Sequence, residues 1–128
     1  MSDFKRLVVW RKAHALALNA HHVATGIRGA DNASLRNQIL RAAMSIPTNI
    51  VEGTGQKSGR EFARFLDIAL KSTSELEYHL IIARDIGALS LNNFESISAQ
   101  TIEVRKMLYG LRTRVTAPTP NATSNVPA

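Results

Sequence analysis

The pattern that decides the fold class lies in residues 94–115, FESISAQTIEVRKMLYGLRTRV. Its core positions advance alternately by three and four residues and are Phe94, Ile97, Thr101, Val104, Leu108, Leu111 and Val115. This spacing places the side chains on one face of a helix, as in helix bundles and coiled coils. The segment is therefore predicted to be a helix that packs against other helices.

Three segments upstream show the same helical spacing of apolar residues. They run from Val9 to Ile27, from Leu35 to Ile50 and from Phe62 to Ala83. Glycine-containing stretches separate the segments, and none of them shows the alternation of a β-strand. The sequence therefore predicts an all-α protein, an up-down-up-down four-helix bundle.

Several polar residues are placed to begin or end these helices. Asp31 or Asn32 is the expected N-cap of the second helix, and Ser58 with Glu61 forms a capping-box sequence at the start of the third. Gly87 is a candidate stop for the third helix, and Asn92 with Glu95 is the expected cap of the fourth.

The chain of 128 residues has the length of one domain. We assign residues 1–115 to the bundle and residues 116–128, which contain three prolines and no charge, to a flexible tail.

The absence of cysteine excludes disulfides, thiolate catalysis and the usual structural zinc sites. No apolar run approaches the ~20 residues of a membrane span, so we expect a cytoplasmic protein with no membrane partner.

The net charge of +6 is unevenly distributed along the chain. Residues 1–51 carry seven Lys/Arg and two Asp, a charge of +5; residues 52–103 carry −3 and residues 104–128 carry +4. A basic protein can bind nucleic acid or another anionic surface. The basic and acidic helices can equally pair with one another, and charge alone leaves both interpretations open.

No constellation of residues predicts an enzyme. The loop from Gly53 to Ser58 lacks the glycine spacing of a phosphate-binding loop, although Lys57 and Arg60 could hold an anion at the start of the third helix. His14 and His21 are too far apart to share a metal ion, and no acidic residue lies between Phe4 and Ala30. We therefore predict no metal site, no cofactor and no catalytic residue.

Residues 41–53, RAAMSIPTNIVEG, place a proline inside an apolar helical pattern. Pro47 has no N–H and is predicted to bend the second helix or break its hydrogen bonds near Ala43, with the Asn49 side chain or a neighbouring group compensating. Glu52 is expected to cap amides across the following loop or to pair with an arginine of a neighbouring helix.

This stretch resembles the signature of the 23S ribosomal RNA intervening-sequence proteins, often called four-helix bundle proteins. The matching residues are Gln38, Arg41, Ala42, Ala43, Ser45, Ile46, Pro47, Asn49, Ile50, Glu52 and Gly53. A second block resembles the third helix of that family and comprises Ser58, Glu61, Phe62, Phe65, Leu66, Ala69, Ser72, Glu75, Leu76 and Glu77. Trp10 and Ala13 match the start of its first helix, and the resemblance spans roughly residues 8–115.

The resemblance implies a left-handed four-helix bundle that assembles as a homopentameric ring, without catalytic activity. The accessory variability determinant of diversity-generating retroelements looks like a relative, which makes RNA or DNA and a reverse transcriptase candidate partners. For Trp10, the single tryptophan, packing or an oligomer contact is favoured over base stacking.

The residues themselves also predict self-association, because apolar side chains lie beyond a single bundle stripe. Ile46, Ile50, Phe65, Ile68 and Ile82 are expected to divide between the bundle interior and a subunit interface.

Two functions from different classes remain: an oligomeric nucleic-acid-binding or scaffolding protein, and a protein–protein adaptor that binds no nucleic acid. The candidate nucleic-acid-binding residues are Lys5, Arg6, Arg11, Lys12, Arg28, Arg36, Arg41, Arg105, Lys106, Arg112 and Arg114. Of these, Lys5, Arg6, Arg112 and Arg114 are expected to merge into one patch, because the first and fourth helices are neighbours.

Overall fold

Four α-helices make up the fold, and the structure, a computed structural model, describes residues 3–118. Two short 3₁₀ turns, Phe4–Arg6 and Ala30–Asn32, precede the first and second helices. The helices are α1 (Val8–Thr25), α2 (Ala33–Thr54), α3 (Gly59–Asp85) and α4 (Leu91–Thr116). No strand occurs between residues 3 and 118, so the predicted all-α class is confirmed. Thr116 belongs to α4, and residues 119–128 of the predicted tail lie outside the described part.

Each helix packs against two of the other three. α1 and α3 both lie against α2 and α4, whereas the backbones of the diagonal pairs α1–α3 and α2–α4 stay further apart in the described part of the chain. The predicted stripe of α4 is confirmed, because its central residues are buried and Phe94 and Val115 at its ends are partly buried. Burial of each Leu or Ile side chain contributes about 1.5–3 kcal/mol. The largest fully buried side chains include Leu16, Ile39, Ile46, Ile50, Leu66, Leu76, Leu80 and Leu108.

The helix ends follow the sequence in part. Ser58 accepts a hydrogen bond from the Glu61 N–H at 3.1 Å, but the Glu61 carboxylate pairs with Arg64 instead of completing the capping box. Gly87, at φ 77°, ends α3 as predicted, and the Ala88 N–H returns to the Ala83 carbonyl at 2.9 Å.

The predicted cap of α4 is wrong, and that of α2 is right in position only. α4 begins earlier than expected, because Ser90 is its N-cap and accepts from the Asn93 N–H at 3.2 Å. Asn32 does precede α2, but its side chain donates to the Arg28 carbonyl at 2.8 Å and caps no amide of α2. At α4, the Ser90 hydroxyl therefore takes the capping role predicted for Asn92 and Glu95.

Pro47 does not interrupt α2, which runs unbroken from Ala33 to Thr54. Because Pro47 has no N–H, the Ala43 carbonyl loses its helical hydrogen bond as predicted, but the helix does not end there, and Asn49 does not compensate at that carbonyl. The Asn49 amide donates instead to the carbonyl and the hydroxyl of Ser45, at 2.8 and 3.0 Å. Packing on both flanks holds α2 helical even though proline costs about 3 kcal/mol in a helix interior.

The predicted interface residues separate by depth. Ile46 and Ile50 are fully buried and so belong to the bundle interior, one of the two places expected for this set. Ile68 is exposed, and Phe65 and Ile82 are partly buried. The buried pair lies on the same α2 stripe as Ile39, which α2 turns towards the other helices.

The start of α3 lies directly against the end of α4, and only glycine fits there. A Cβ atom on Gly59 would overlap the carbonyl oxygen of Val115, which is backbone and cannot rotate away. Gly110 of α4 offers the opposite case, since a Cβ atom there meets nothing within 4 Å.

We expect Gly59→Ala to lower the free energy of unfolding by about 1–3 kcal/mol, because α3 and α4 must separate locally. Gly110→Ala is the matched control and should raise it by up to ~1 kcal/mol through helix propensity. Urea unfolding at one protein concentration measures both. Equal effects of the two substitutions would contradict the close approach.

Candidate nucleic-acid interface

Positive charge collects where the end of α4 meets the starts of α1 and α3. Arg6 and Arg114 line one hollow of about 350 Å³ between α1 and α4. Arg60, Arg64 and Arg112 line a second hollow of about 500 Å³ between α3 and α4. The basic end, as we call this surface, comprises Lys5, Arg6, Lys57, Arg60, Arg64, Arg112 and Arg114.

Carboxylates offset part of this charge. Arg64 pairs with Glu61 at 3.1 Å, and Arg6 approaches Asp3 at 3.9 Å. The Arg112 guanidinium binds both carboxylate oxygens of Asp67, and this hydrogen bonding and charge raise the pKa of Arg112. All three pairs are solvent-exposed, where water and salt screen the attraction between the charges. These arginines therefore remain available to a stronger anion.

Four cations of the basic end make no ion pair within residues 3–118. They are Lys5, Lys57, Arg60 and Arg114. The connections at Ala30–Asn32 and after α3 differ, because Arg28 and Arg84 there are accompanied by Asp31 and Asp85. Unbalanced positive charge is thus a property of one end of the bundle.

The expected merging of Lys5, Arg6, Arg112 and Arg114 is realised in part. Arg6 and Arg114 share a hollow, as expected for neighbouring helices. Arg112 turns to the opposite side of α4, towards α3.

Other predicted cations serve contacts within the bundle. Arg105 pairs with Glu77 of α3, and Lys12 pairs with Glu103 of α4 at 3.7 Å. Arg36 donates to the carbonyls of Ile27 and Gly29 at 2.8 and 2.9 Å, which fixes the α1–α2 connection.

The remaining predicted cations lie apart from the basic end or beside it. Arg11 donates to the Lys5 carbonyl at 3.3 Å and is exposed. Arg28, Arg41 and Lys106 are exposed on the α1–α2 connection, α2 and α4 respectively.

Arg64 was not among the residues singled out in the sequence, and Lys57 and Arg60 entered only as anion contacts at the start of α3. The signal that locates all three is the Ser58 cap, because it fixes where α3 begins. What the sequence does not show is that this start lies against the last turn of α4.

Several signature residues of α2 and α3 form a strip along the α2–α3 boundary, whereas Pro47 lies on the α1 side of α2 and Glu77 pairs with Arg105 of α4. Ser45 and Ser72 share a hydrogen bond of 2.7 Å, and Gly53 lies against the Phe62 ring, where a Cβ atom would come within 2.7 Å. Glu52 makes no side-chain hydrogen bond or ion pair among residues 3–118, so its predicted structural role is not seen. The exposed members of the strip are Gln38, Arg41, Glu52 and Glu75.

Trp10 packs against the core and is only partly exposed. Its ring stacks on His14 with centroids 5.1 Å apart and meets the Phe4 ring edge-on at 4.9 Å. The packing interpretation of Trp10 therefore agrees with its surroundings.

Two kinds of site are missing from residues 3–118. No three His, Asp or Glu side chains gather there in an arrangement suited to a metal ion. None of the helices between these residues has the length and apolar character needed to cross a membrane.

Comparison with known proteins places the chain in a family. Residues 5–110 match the family model described as 23S rRNA-intervening sequence protein. The chain belongs to this family. Its fold is similar to the crystal structure of a protein of unknown function from the S23 ribosomal protein family of Bacteroides thetaiotaomicron VPI-5482, with a TM-score of 0.77. The two are 28% identical over 82% of this chain and 98% of the other. No curated protein matches the chain.

Proposed function

We propose that this member of the 23S rRNA-intervening sequence protein family is a non-enzymatic oligomeric scaffold whose basic end binds the phosphate backbone of RNA or DNA. The observation that carries the proposal is the collection of seven lysines and arginines where α4 ends, four of them outside any ion pair in the described chain. Cations grouped on one surface are the electrostatic signature of phosphate binding.

The assembly we propose is a homopentameric ring of left-handed up-down-up-down bundles. Support for the topology comes from contacts between α2 and α3, in which Gly53 meets Phe62 and Ser45 meets Ser72. The pentamer rests on the family resemblance. In such a ring the basic ends of all subunits lie on one face, which multiplies the weak attraction of each. We place the protein in the cytoplasm and regard a reverse transcriptase as a candidate partner.

Phosphate contacts are favoured over base stacking as the mode of binding. Aromatic residues make up only 5% of the chain. The indole ring of Trp10 already stacks on His14. Binding of this kind is weakly sequence-specific and strongly salt-dependent, because neutralised phosphates release their counterions.

The experiment is a titration of a fluorescent single-stranded RNA with the protein at about 50 and 200 mM salt. For six or more phosphate contacts we expect the affinity to fall roughly 10³-fold on duplex DNA and less on a single strand. Two unrelated RNA sequences should bind with nearly equal affinity. Salt-insensitive or undetectable binding would remove the proposal.

The second candidate is the protein–protein adaptor that binds no nucleic acid. The observation in its favour is that Lys12, Arg105 and Arg112 are engaged by carboxylates of neighbouring helices. An intact oligomer that binds neither RNA nor DNA at about 50 mM salt would favour this adaptor function.

A further inference from the structure

Ion pairs between helices occur only at the two boundaries of α4 in the described chain. Within residues 3–118, each of them has one partner on α4. They join Lys12 to Glu103, Glu77 to Arg105 and Asp67 to Arg112. No ion pair crosses the α1–α2 or the α2–α3 boundary in the described chain. The α4 side thus carries the polar contacts of a surface that faces water.

Charge content also differs between the helices, and α2, which takes part in no ion pair between helices, is among the two that carry least charge. α1 has two charged residues among 18, with no acid, and α2 has three among 22. α3 has nine among 27 and α4 has six among 26. Helices that are covered in an assembly lose charge relative to helices that face water. This contrast marks α1 and α2 as the helices to be covered.

An apolar groove lies between α1 and α2. It encloses about 420 Å³, and Leu18 and Met44 stand in it with 56% and 60% of their surfaces exposed. Pro47 and Ala17 form part of its wall, and His14 and His21 are its titratable residues. No other part of the described chain covers these two large side chains.

An apolar flank lies on the other side of α2, along α3. Ile68, Ile82 and Ile86 share the helical face of Ser72, which touches Ser45 of α2. Ile68 and Ile86 are 40% and 58% exposed. We call this face, Ile68, Glu75, Ile82 and Ile86, the α2–α3 flank.

We propose that the groove of one subunit receives the α2–α3 flank of the next, so that α2 faces the axis of a ring and α4 faces outward. This inference rests on the proposed oligomer and names its interface. Because the two surfaces differ, the contact is heterologous and closes only by rotation. Directions to the two neighbours of a subunit meet at about 90° in a ring of four and about 108° in a ring of five. Adjacent sides of a four-helix bundle meet at a similar angle.

The α1–α2 groove and the α2–α3 flank lie at the same level along the bundle axis. Leu18 and Met44 line the same groove, and Ser45, next to Met44, touches Ser72. Ile68 lies one helical turn from Ser72, about 6 Å away along α3. In a ring with bundles parallel to the axis, Ile68 therefore meets the groove near Leu18 and Met44.

The two surfaces are also complementary in charge. Glu52 and Glu75, on either side of the α2–α3 boundary, have no cationic partner within residues 3–118 and outnumber Arg41, the exposed cation of the same strip. The facing helix α1 has no acid and carries Arg11. Arg11 lies two turns from Leu18, and Glu52 lies about two turns from Met44. In the proposed topology both lie towards the same end, so Glu52 of one subunit meets Arg11 of the next.

The test uses thiol crosslinking, which is clean because the chain has no cysteine. The double variant Leu18→Cys/Ile68→Cys, treated with a short bismaleimide, is expected to give a ladder of covalent oligomers. The single variants should stay monomeric on a denaturing gel. Tyr78→Cys/Tyr109→Cys is the matched control, because both tyrosines are exposed on α3 and α4.

Light scattering on the untreated double variant separates the possible failures. An oligomer that gives no ladder overturns the interface and leaves the proposed oligomer standing. Covalent dimers from either single variant overturn it too, since they indicate a two-fold contact. If the Tyr78→Cys/Tyr109→Cys variant gives a ladder of covalent oligomers, α3 and α4 form the subunit contact and the proposed interface is wrong. A monomeric mass of the unmodified chain overturns both the interface and the proposed oligomer.

Discussion

Leu18→Glu/Met44→Glu is expected to convert the assembly into folded monomers. Both side chains are exposed in the single chain, so the bundle core stays intact. In the proposed ring they are buried by the next subunit, and burial of each contributes about 1.5–3 kcal/mol to the contact. Loss of both weakens each contact by at least about 3 kcal/mol, more than 100-fold. Two desolvated carboxylates add to the loss.

Light scattering and circular dichroism measure mass and helix content side by side. Leu91→Glu/Tyr109→Glu is the matched control, since both residues are similarly exposed but lie on α4. The control should retain the mass of the unmodified assembly. An unchanged mass for the groove variant, or a monomeric control, would contradict the assignment of α2 to the ring axis.

The bundle could be predicted from the sequence because each helix carries an apolar stripe of regular spacing. The stripe of α4, from Ile97 to Leu111, is buried as the spacing requires. Gly87 ends α3 as predicted, because glycine readily adopts the left-handed conformation found there. These features depend on local periodicity and backbone preference, which a single sequence displays.

Features that depend on contacts between helices could not be predicted. The local sequence around Pro47 indicates a helix break, yet α2 continues because it packs against α1 on one side and α3 on the other. Ile46 and Ile68 are both apolar in sequence, but only the packing decides that the first is buried and the second exposed.

The same reason limited the prediction of the basic end. In the sequence, Arg105 and Arg112 look like equivalent cations on one face of α4, about two helical turns apart. The structure engages both with carboxylates of α3, through Glu77 and Asp67. Arg64 joins the basic end only because the start of α3 lies against the end of α4.

Arg6→Glu/Arg114→Glu is expected to abolish most of the binding of single-stranded RNA. Both residues line the same hollow, and Arg114 has no acidic partner within residues 3–118. A charge-assisted phosphate contact is worth about 1.5–3 kcal/mol, so loss of two lowers the affinity at least about 100-fold. The two new carboxylates also repel the phosphates.

A matched control separates local contacts from overall charge. Arg28→Glu/Arg84→Glu changes the charge by the same four units, from +6 to +2, because each substitution replaces one positive by one negative charge. Arg28 lies on the α1–α2 connection and Arg84 at the end of α3, outside the basic end. The control should lose only a few-fold in affinity, and light scattering should show both variants with unchanged mass.

The most direct measurement titrates one labelled RNA at about 50 mM salt with the unmodified protein, the Arg6/Arg114 variant and the Arg28/Arg84 control. If the basic end binds phosphates, the affinity falls at least about 100-fold for the first variant and a few-fold for the control. Equal affinities of all three proteins, or equal losses in the two variants, would contradict the claim that the basic end is the nucleic-acid interface.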